Sequence, residues 1–177
     1  MCGYNQVRTK PPPYIFVSRI QFYPQRFMST NARIGIKLED GSILSAYHHW
    51  DGYPEWLGRI LKQEYNTKEK VAELIDGGNM SSCWSDNVFD YEKQEFVKRD
   101  PQPEYYGGEN ERPRLSKNFT QFAFDSKDGE EFLYLFRPYG DGWEAFGINH
   151  KYDDDFYILD TKLIPVDIPD GDVADDS

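Results

Sequence analysis

The stretch that most constrains this chain is a period-two run that turns back on itself and then breaks into a helix. Ile34, Ile36 and Leu38 alternate with Arg33, Gly35 and Lys37, the pattern of a half-buried strand over residues 32–38. Asp40-Gly41 supplies the positive φ of a tight turn, so a return strand runs from Ile43 to about Trp50. On that strand Tyr47 and His49 share one side, and Ala46, His48 and Trp50 the other. Asp51-Gly52-Tyr53-Pro54 then breaks the strand. Pro54 suits a first helical position, where the missing N–H has no partner to lose, and Glu55 complements the positive end of the helix dipole.

Trp56, Leu57, Ile60, Leu61 and Tyr65 form an apolar stripe at helical spacing. Asn66, with Glu69 three residues on, predicts the start of a second helix whose buried face is Val71, Leu74 and Ile75 and which ends at Gly77-Gly78. So short a link predicts a two-helix hairpin packed on one sheet face. Residues 81–117 carry a weak pattern rich in charge, Pro and Gly, which reads as a surface excursion or a functional loop. Strands are predicted again over residues 119–124, 132–137 and 143–148, punctuated by Asp128-Gly129 and Gly140-Asp141-Gly142, with a last apolar segment over 156–166. The expected architecture is α+β: an antiparallel, mostly meander sheet with a two-helix hairpin packed on one face. The domain organisation follows: a basic, Pro-containing N-terminal arm (1–27), read as a flexible arm in which at most 14–21 forms an edge strand, a single α+β domain (28–166), and an acidic disordered tail (167–177). Met28 is an alternative start.

Charge narrows the function classes. The 177 residues carry a formal net charge of -11, which disfavours direct binding to nucleic-acid phosphate. Arg8, Lys10, Arg19 and Arg26 are met by no acid within residues 1–27, whereas residues 167–177 hold five aspartates and no base. The two cysteines, Cys2 and Cys83, have no metal or redox spacing and fit a reducing compartment. No apolar run approaches the roughly 20 residues of a membrane helix.

The order of motifs resembles a family of small, uncharacterised bacteriophage proteins. The resemblance rests on Met28-Ser29-Thr30-Asn31-Ala32-Arg33-Ile34-Gly35-Ile36, then Glu39-Asp40-Gly41, and above all on Tyr47-His48-His49-Trp50-Asp51-Gly52-Tyr53-Pro54. Gly58, Leu61, Tyr65-Asn66, Lys70-Val71, Leu74-Ile75 and Gly78-Asn79-Met80-Ser81-Ser82 continue it, and Phe132-Leu133-Tyr134-Leu135-Phe136 and Asp141-Gly142-Trp143 look like the late strands. The match spans about 28–162. It carries His49 as the motif histidine, in a Tyr-x-His-Trp-Asp-Gly-Tyr-Pro pattern. Tyr105-Tyr106-Gly107-Gly108-Glu109-Asn110-Glu111-Arg112 is a loose counterpart of a tyrosine-plus-basic stretch in the family. The resemblance implies a viral accessory protein acting in a host cytoplasm and imports no activity.

His49 and Asp51 are the candidates for a general base and its orienting carboxylate, or for metal ligands, with His150 and Asp153 as the remaining donors of such a set. The plainer account has Asp51 shaping the turn while His49 and Trp50 pack the strand-to-helix junction. No nucleophile elbow or phosphate loop is present, and no cofactor or resident metal is expected. Tyr47, His49, Trp50, Tyr53 and Arg137 are the candidate ligand-binding residues, because aromatic faces beside a guanidinium suit a base-plus-phosphate ligand. Tyr105, Tyr106, Arg112 and Arg114 belong to the same pool. The expected function is a non-enzymatic binding module acting against a host component, by sequestering a small nucleotide signal or by inhibiting a host protein through an acidic surface. A homo-oligomer is compatible with it. The alternative is a metal-dependent or His/Asp hydrolase or nuclease.

Overall fold

A computed structural model describes residues 29–127, 129–155 and 158–172. The expected N-terminal arm, with its 14–21 segment, and the last five residues of the tail lie outside the described residues. The strands are β1 (Ala32–Lys37), β2 (Ile43–His48), β3 (Met80–Asp90), β4 (Glu95–Tyr105), β5 (Arg114–Ser116), β6 (Phe132–Arg137), β7 (Gly142–Tyr152) and β8 (Ile158–Val166). They form one eight-stranded sheet in the order β4-β3-β2-β1-β6-β7-β8, with β5 added beside β2. The helices are α1 (Arg59–Glu64), α2 (Lys68–Asp76) and α3 (Phe119–Ser126).

The predicted first hairpin is present, with β1 and β2 antiparallel and Ile36 opposite Leu44. The antiparallel meander is not. β1 lies parallel to β6, from Ala32 opposite Phe132 to Ile36 opposite Phe136, and β2 lies parallel to β3 at His48 opposite Met80. The sheet is therefore mixed. The β2–β3 connection carries α1 and α2 across one face, the kind of crossover that parallel neighbours require.

The helical hairpin is also absent. Pro54–Gly58 winds as a π-helical turn that runs straight into α1, and α2 packs on β1 and β2 rather than against α1. Thr67, not Asn66, caps α2 by accepting the Lys70 N–H at 3.3 Å. Nor are the helices confined to one face. Residues 119–124, expected as a strand, lie in α3 on the opposite side. There the Asn118 side chain accepts the Gln121 N–H at 3.0 Å while the Gln121 carboxamide accepts the Lys117 N–H at 2.8 Å, a reciprocal cap that outweighs the β propensity of three phenylalanines.

Two cores result, one on each face. On the α1/α2 face Ala32, Ile34, Ile36, Ala46 and Tyr134 meet Leu57, Leu61, Val71, Leu74 and Ile75. On the α3 face Ile43, Leu133 and Leu135 meet Phe122. Gly35 lets α3 sit close, since a Cβ there would come within 3.3 Å of the Phe122 ring. The chain after β8 is placed as far as Asp172: Ile168 packs on the first core, Lys62 pairs with Asp170 at 2.7 Å, and Gln63 donates to the Gly171 carbonyl at 2.8 Å.

Candidate functional site

The Tyr47–Trp56 stretch is the junction where β2 leaves the sheet. Asp51 takes φ +54, a left-handed conformation that aspartate tolerates better than most residues. Gly52 follows because nothing larger fits: a Cβ there would lie 2.6 Å from the Thr30 carbonyl oxygen and 2.8 Å from the Ala32 Cβ. Its N–H donates to that Thr30 carbonyl at 2.7 Å, and its own carbonyl accepts the buried Tyr134 hydroxyl at 2.8 Å. Pro54 then opens the π-helical turn.

The adjacent histidines have different surroundings. His48 is fully buried on the α1/α2 face, and its Nε2 accepts the Cys83 N–H at 3.0 Å. The proton of the neutral ring therefore sits on Nδ1, which meets no partner among the described residues. Burial, reinforced by His49, holds its pKa down at about 3, so His48 is neutral at physiological pH. His49 is half-buried on the other face. Its Nδ1 is 2.9 Å from the Tyr47 hydroxyl, and the Trp50 ring meets it edge-on with centroids 4.5 Å apart.

Beneath Tyr47 lies a buried ion pair: Arg33, the cross-strand neighbour of Tyr47, donates from Nε to Glu130 at 2.6 Å. The Tyr47 hydroxyl is pushed up to about 12, chiefly by burial, with Tyr106 and Glu130 adding to the push and Arg33 opposing it. Arg114 approaches from β5 and binds the last turn of α3, donating to the Asp125 carbonyl at 3.2 Å and the Ser126 hydroxyl at 2.9 Å. Its pKa is lowered by burial and by Arg33. Both arginines on this face thus hold structural partners.

Of the sequence candidates, the structure brings Tyr47, His49 and Trp50 together and adds Tyr106, which is half exposed. Asp51 is exposed beside them, and its carboxylate meets no donor among the described residues; the imidazole partner of His49 is Tyr47. Tyr53 begins the π-helical turn, its carbonyl accepting the Leu57 N–H at 2.9 Å. Arg137 stands apart. It ends β6 at the opposite end of the sheet, about 17 Å along the strand from Phe132, and pairs with Glu144 at 2.5 Å. There it borders a groove of about 220 Å³ between Lys37, Leu38, Glu39, Pro138, Tyr139 and Gly140. A neighbouring groove of about 370 Å³ is bridged by the Tyr139 hydroxyl, 3.0 Å from Glu39 and 3.2 Å from Lys68.

His150 lies on β7, with β1 and β6 between it and β2, and holds the Thr161 hydroxyl at 2.9 Å. Asp153 accepts the Asp155 N–H at 3.0 Å in a local turn. No three His, Cys, Asp or Glu side chains converge among the described residues in a way that could hold a metal ion. Arg112 pairs on the surface with Glu109. Cys83 is buried, with its thiol pKa raised by desolvation. No helix among the described residues is long and apolar enough to cross a membrane.

The feature missed by sequence reasoning is β3–β4. β3 runs parallel to β2 with a single ladder pair, His48 opposite Met80, and a last backbone bond from the Trp50 N–H to the Ser81 carbonyl at 3.0 Å, so the strand beyond its base continues past the end of the sheet. β5 occupies the other end of that edge, pairing with Ile43–Ser45. The base of the hairpin is anchored: Met80 and Cys83 are buried, Tyr65 donates to the Cys83 carbonyl at 2.7 Å, Trp84 packs edge-on against Tyr65, and Tyr105 donates to the Leu74 carbonyl at 2.9 Å. Beyond Trp84 the ribbon projects as two strands alone, with Val88 opposite Val97, Phe89 opposite Phe96, and Asp90 opposite Glu95. Its tip is open and sets exposed aromatic rings among charged side chains. Phe96 is 72% and Tyr91 80% exposed, and both rings meet Phe89 edge-on with centroids 5.1–5.2 Å apart. The usual hairpin signal is missing because Gln94, not glycine, takes the positive-φ position at +56. Pro101 and Pro103 argued against a strand, yet β4 is an edge strand, where missing N–H groups are tolerated.

Comparison with protein-family models, curated proteins and solved structures finds no match to this chain.

Proposed function

We propose that the protein is a non-enzymatic binding module, of the viral accessory kind its central motif resembles, that engages a host protein through the β3–β4 arm. One observation carries this: the outer arm exposes Val88, Tyr91 and Phe96 at the end of a two-stranded ribbon that has no third strand or helix over it among the described residues. An isolated hairpin is marginally stable in water, and exposed aromatics at a protruding tip are the usual anchors of an interface.

The test compares full-length protein with a Tyr91→Ser/Phe96→Ser double variant, each immobilised and exposed to bacterial lysate. A stoichiometric partner held by the first and lost by the second supports the reading. Equal retention by both, or no partner at all, overturns it.

A second reading draws on the clustering of Tyr47, His49, Trp50 and Tyr106: a stacking platform for a nucleotide signal. Calorimetric titration with cyclic dinucleotides tests it, and it requires binding that weakens in Trp50→Ala. The distance of Arg137 and the pairing of Arg33 with Glu130 leave that platform without a free guanidinium among the described residues, which favours the protein partner. The hydrolase or nuclease alternative rests on His49 and would need a His49→Ala variant that folds and loses turnover.

A further inference from the structure

We propose that the arm's partner is the cationic cleft of a nucleic-acid-binding protein, which the ribbon enters in place of a nucleic-acid strand. This rests on the arm-binding reading above and deepens it.

Size is the first argument. The unsupported ribbon, from Ser85 to the tip, is roughly 20 Å long and 10 Å wide, so one face offers about 200 Å², far below the ~800 Å² per partner of a stable interface. Laying a flat surface, or the arm of a second copy, against one face therefore falls short. Enclosing both faces and both edges brings the buried area to on the order of 600–800 Å², which requires a groove. Apolar side chains on both faces fit enclosure as well: Phe89 and Phe96 form one cross-strand pair, and Val88 and Val97 the next, which the strand pleat turns to the opposite face.

Charge is the second. On the arm Asp86, Asp90, Glu92, Glu95, Asp100 and Glu104 outnumber Lys93, Lys98 and Arg99. At the tip Asp90 stands opposite Glu95 on the neighbouring strand, and the Asp90 carboxylate turns into the loop, accepting the Glu92 and Lys93 N–H groups at 3.0 and 3.1 Å. Lys93 reaches Asp90 at 3.3 Å, which leaves Glu95 as the more exposed carboxylate of the two. Cations on a partner complement that excess of acids on the arm. Two copies of a chain at -11 would instead bring like fields together, so the second-copy occupant is disfavoured on charge as well as on area. A groove lined with cations and wide enough for an extended ribbon is what proteins that hold nucleic-acid strands present.

The experiment immobilises the full chain, exposes it to nuclease-treated bacterial lysate, and elutes the bound protein stepwise with short duplex DNA and with heparin. Release by both polyanions is the expected result. An Asp90→Asn/Glu95→Gln variant is expected to bind on the order of tenfold more weakly at low salt and with a shallower salt dependence. Circular dichroism checks that each variant keeps the fold, which the outer arm does not support. A partner lost by Tyr91→Ser/Phe96→Ser but indifferent to DNA and heparin overturns the cationic cleft and leaves arm binding standing. An arm-dependent dimer in analytical ultracentrifugation replaces the cleft with a second copy. Binding that no arm variant alters overturns both readings.

Discussion

Lowering the pH should destabilise this protein through His48 well before most carboxylates titrate. His48 is fully buried, its Nε2 is committed to the Cys83 N–H, and its pKa is held down at about 3 against an ordinary 6.5. The unfolded chain therefore binds the extra proton between those two values. Stability rises with pH across the window and is lost as the pH falls below about 6.5, levelling off only near 3. The linkage gives a loss of about 2 kcal/mol between pH 7 and pH 5, growing to about 3 kcal/mol by pH 4. The assay is urea unfolding at pH 7, 6, 5 and 4 for the wild type and for His48→Gln, whose carboxamide oxygen can still accept the Cys83 N–H without titrating. The variant is expected to be less stable at pH 7 and to lose about 2 kcal/mol less between pH 7 and pH 5. Parallel losses in the two proteins would refute the reasoning. They would mean that water reaches the ring, or that the junction opens locally to let it protonate.

Three further outcomes follow from the packing. Glu130→Ala leaves the Arg33 guanidinium buried without its carboxylate and should cost about 3–5 kcal/mol, measured by denaturant unfolding, with much of the loss recovered when Arg33 is also replaced by methionine. Gly52→Ala drives a methyl into the Thr30 carbonyl and the Ala32 side chain; a drop in melting temperature equivalent to at least about 2 kcal/mol is expected, whereas Gly41→Ala, in open space but at φ +86, should cost only about 1. Phe122→Ala empties the core on the α3 face and should cost about 3–5 kcal/mol in the same unfolding assay.

The local chemistry was legible where it was self-contained. The β1–β2 hairpin follows from alternation and Asp40-Gly41, the strand-to-helix break from Gly52 and Pro54, and β6 and β7 from their own apolar patterns around Gly142. The shared side of Tyr47 and His49 follows from the two-residue pleat, and the structure joins them by a hydrogen bond. Each of these depends on neighbours within a few residues, which is the range over which side-chain pattern and turn geometry act. The Phe119–Phe124 segment carried its own correction in Asn118 and Gln121, a cap signal that was overshadowed by aromatic β propensity.

Tertiary structure decided the rest. That β1 should lie beside β6, and β2 beside β3, depends on contacts across long stretches of chain; the continuous apolar run of β6 signals a strand covered on both faces but does not name its neighbour. Which histidine is buried also waited on the fold: alternation separates His48 from His49, but only the placement of α1, α2 and Cys83 seals His48 in the core. The arm is the sharpest case. Its strands lack a glycine turn and contain prolines, and its projection arises from a single parallel register, His48 opposite Met80, that directs β3 past the sheet's end. Alternation can be read from the order of residues because it is a property of neighbours; where a strand points after it leaves its last partner belongs to the whole sheet.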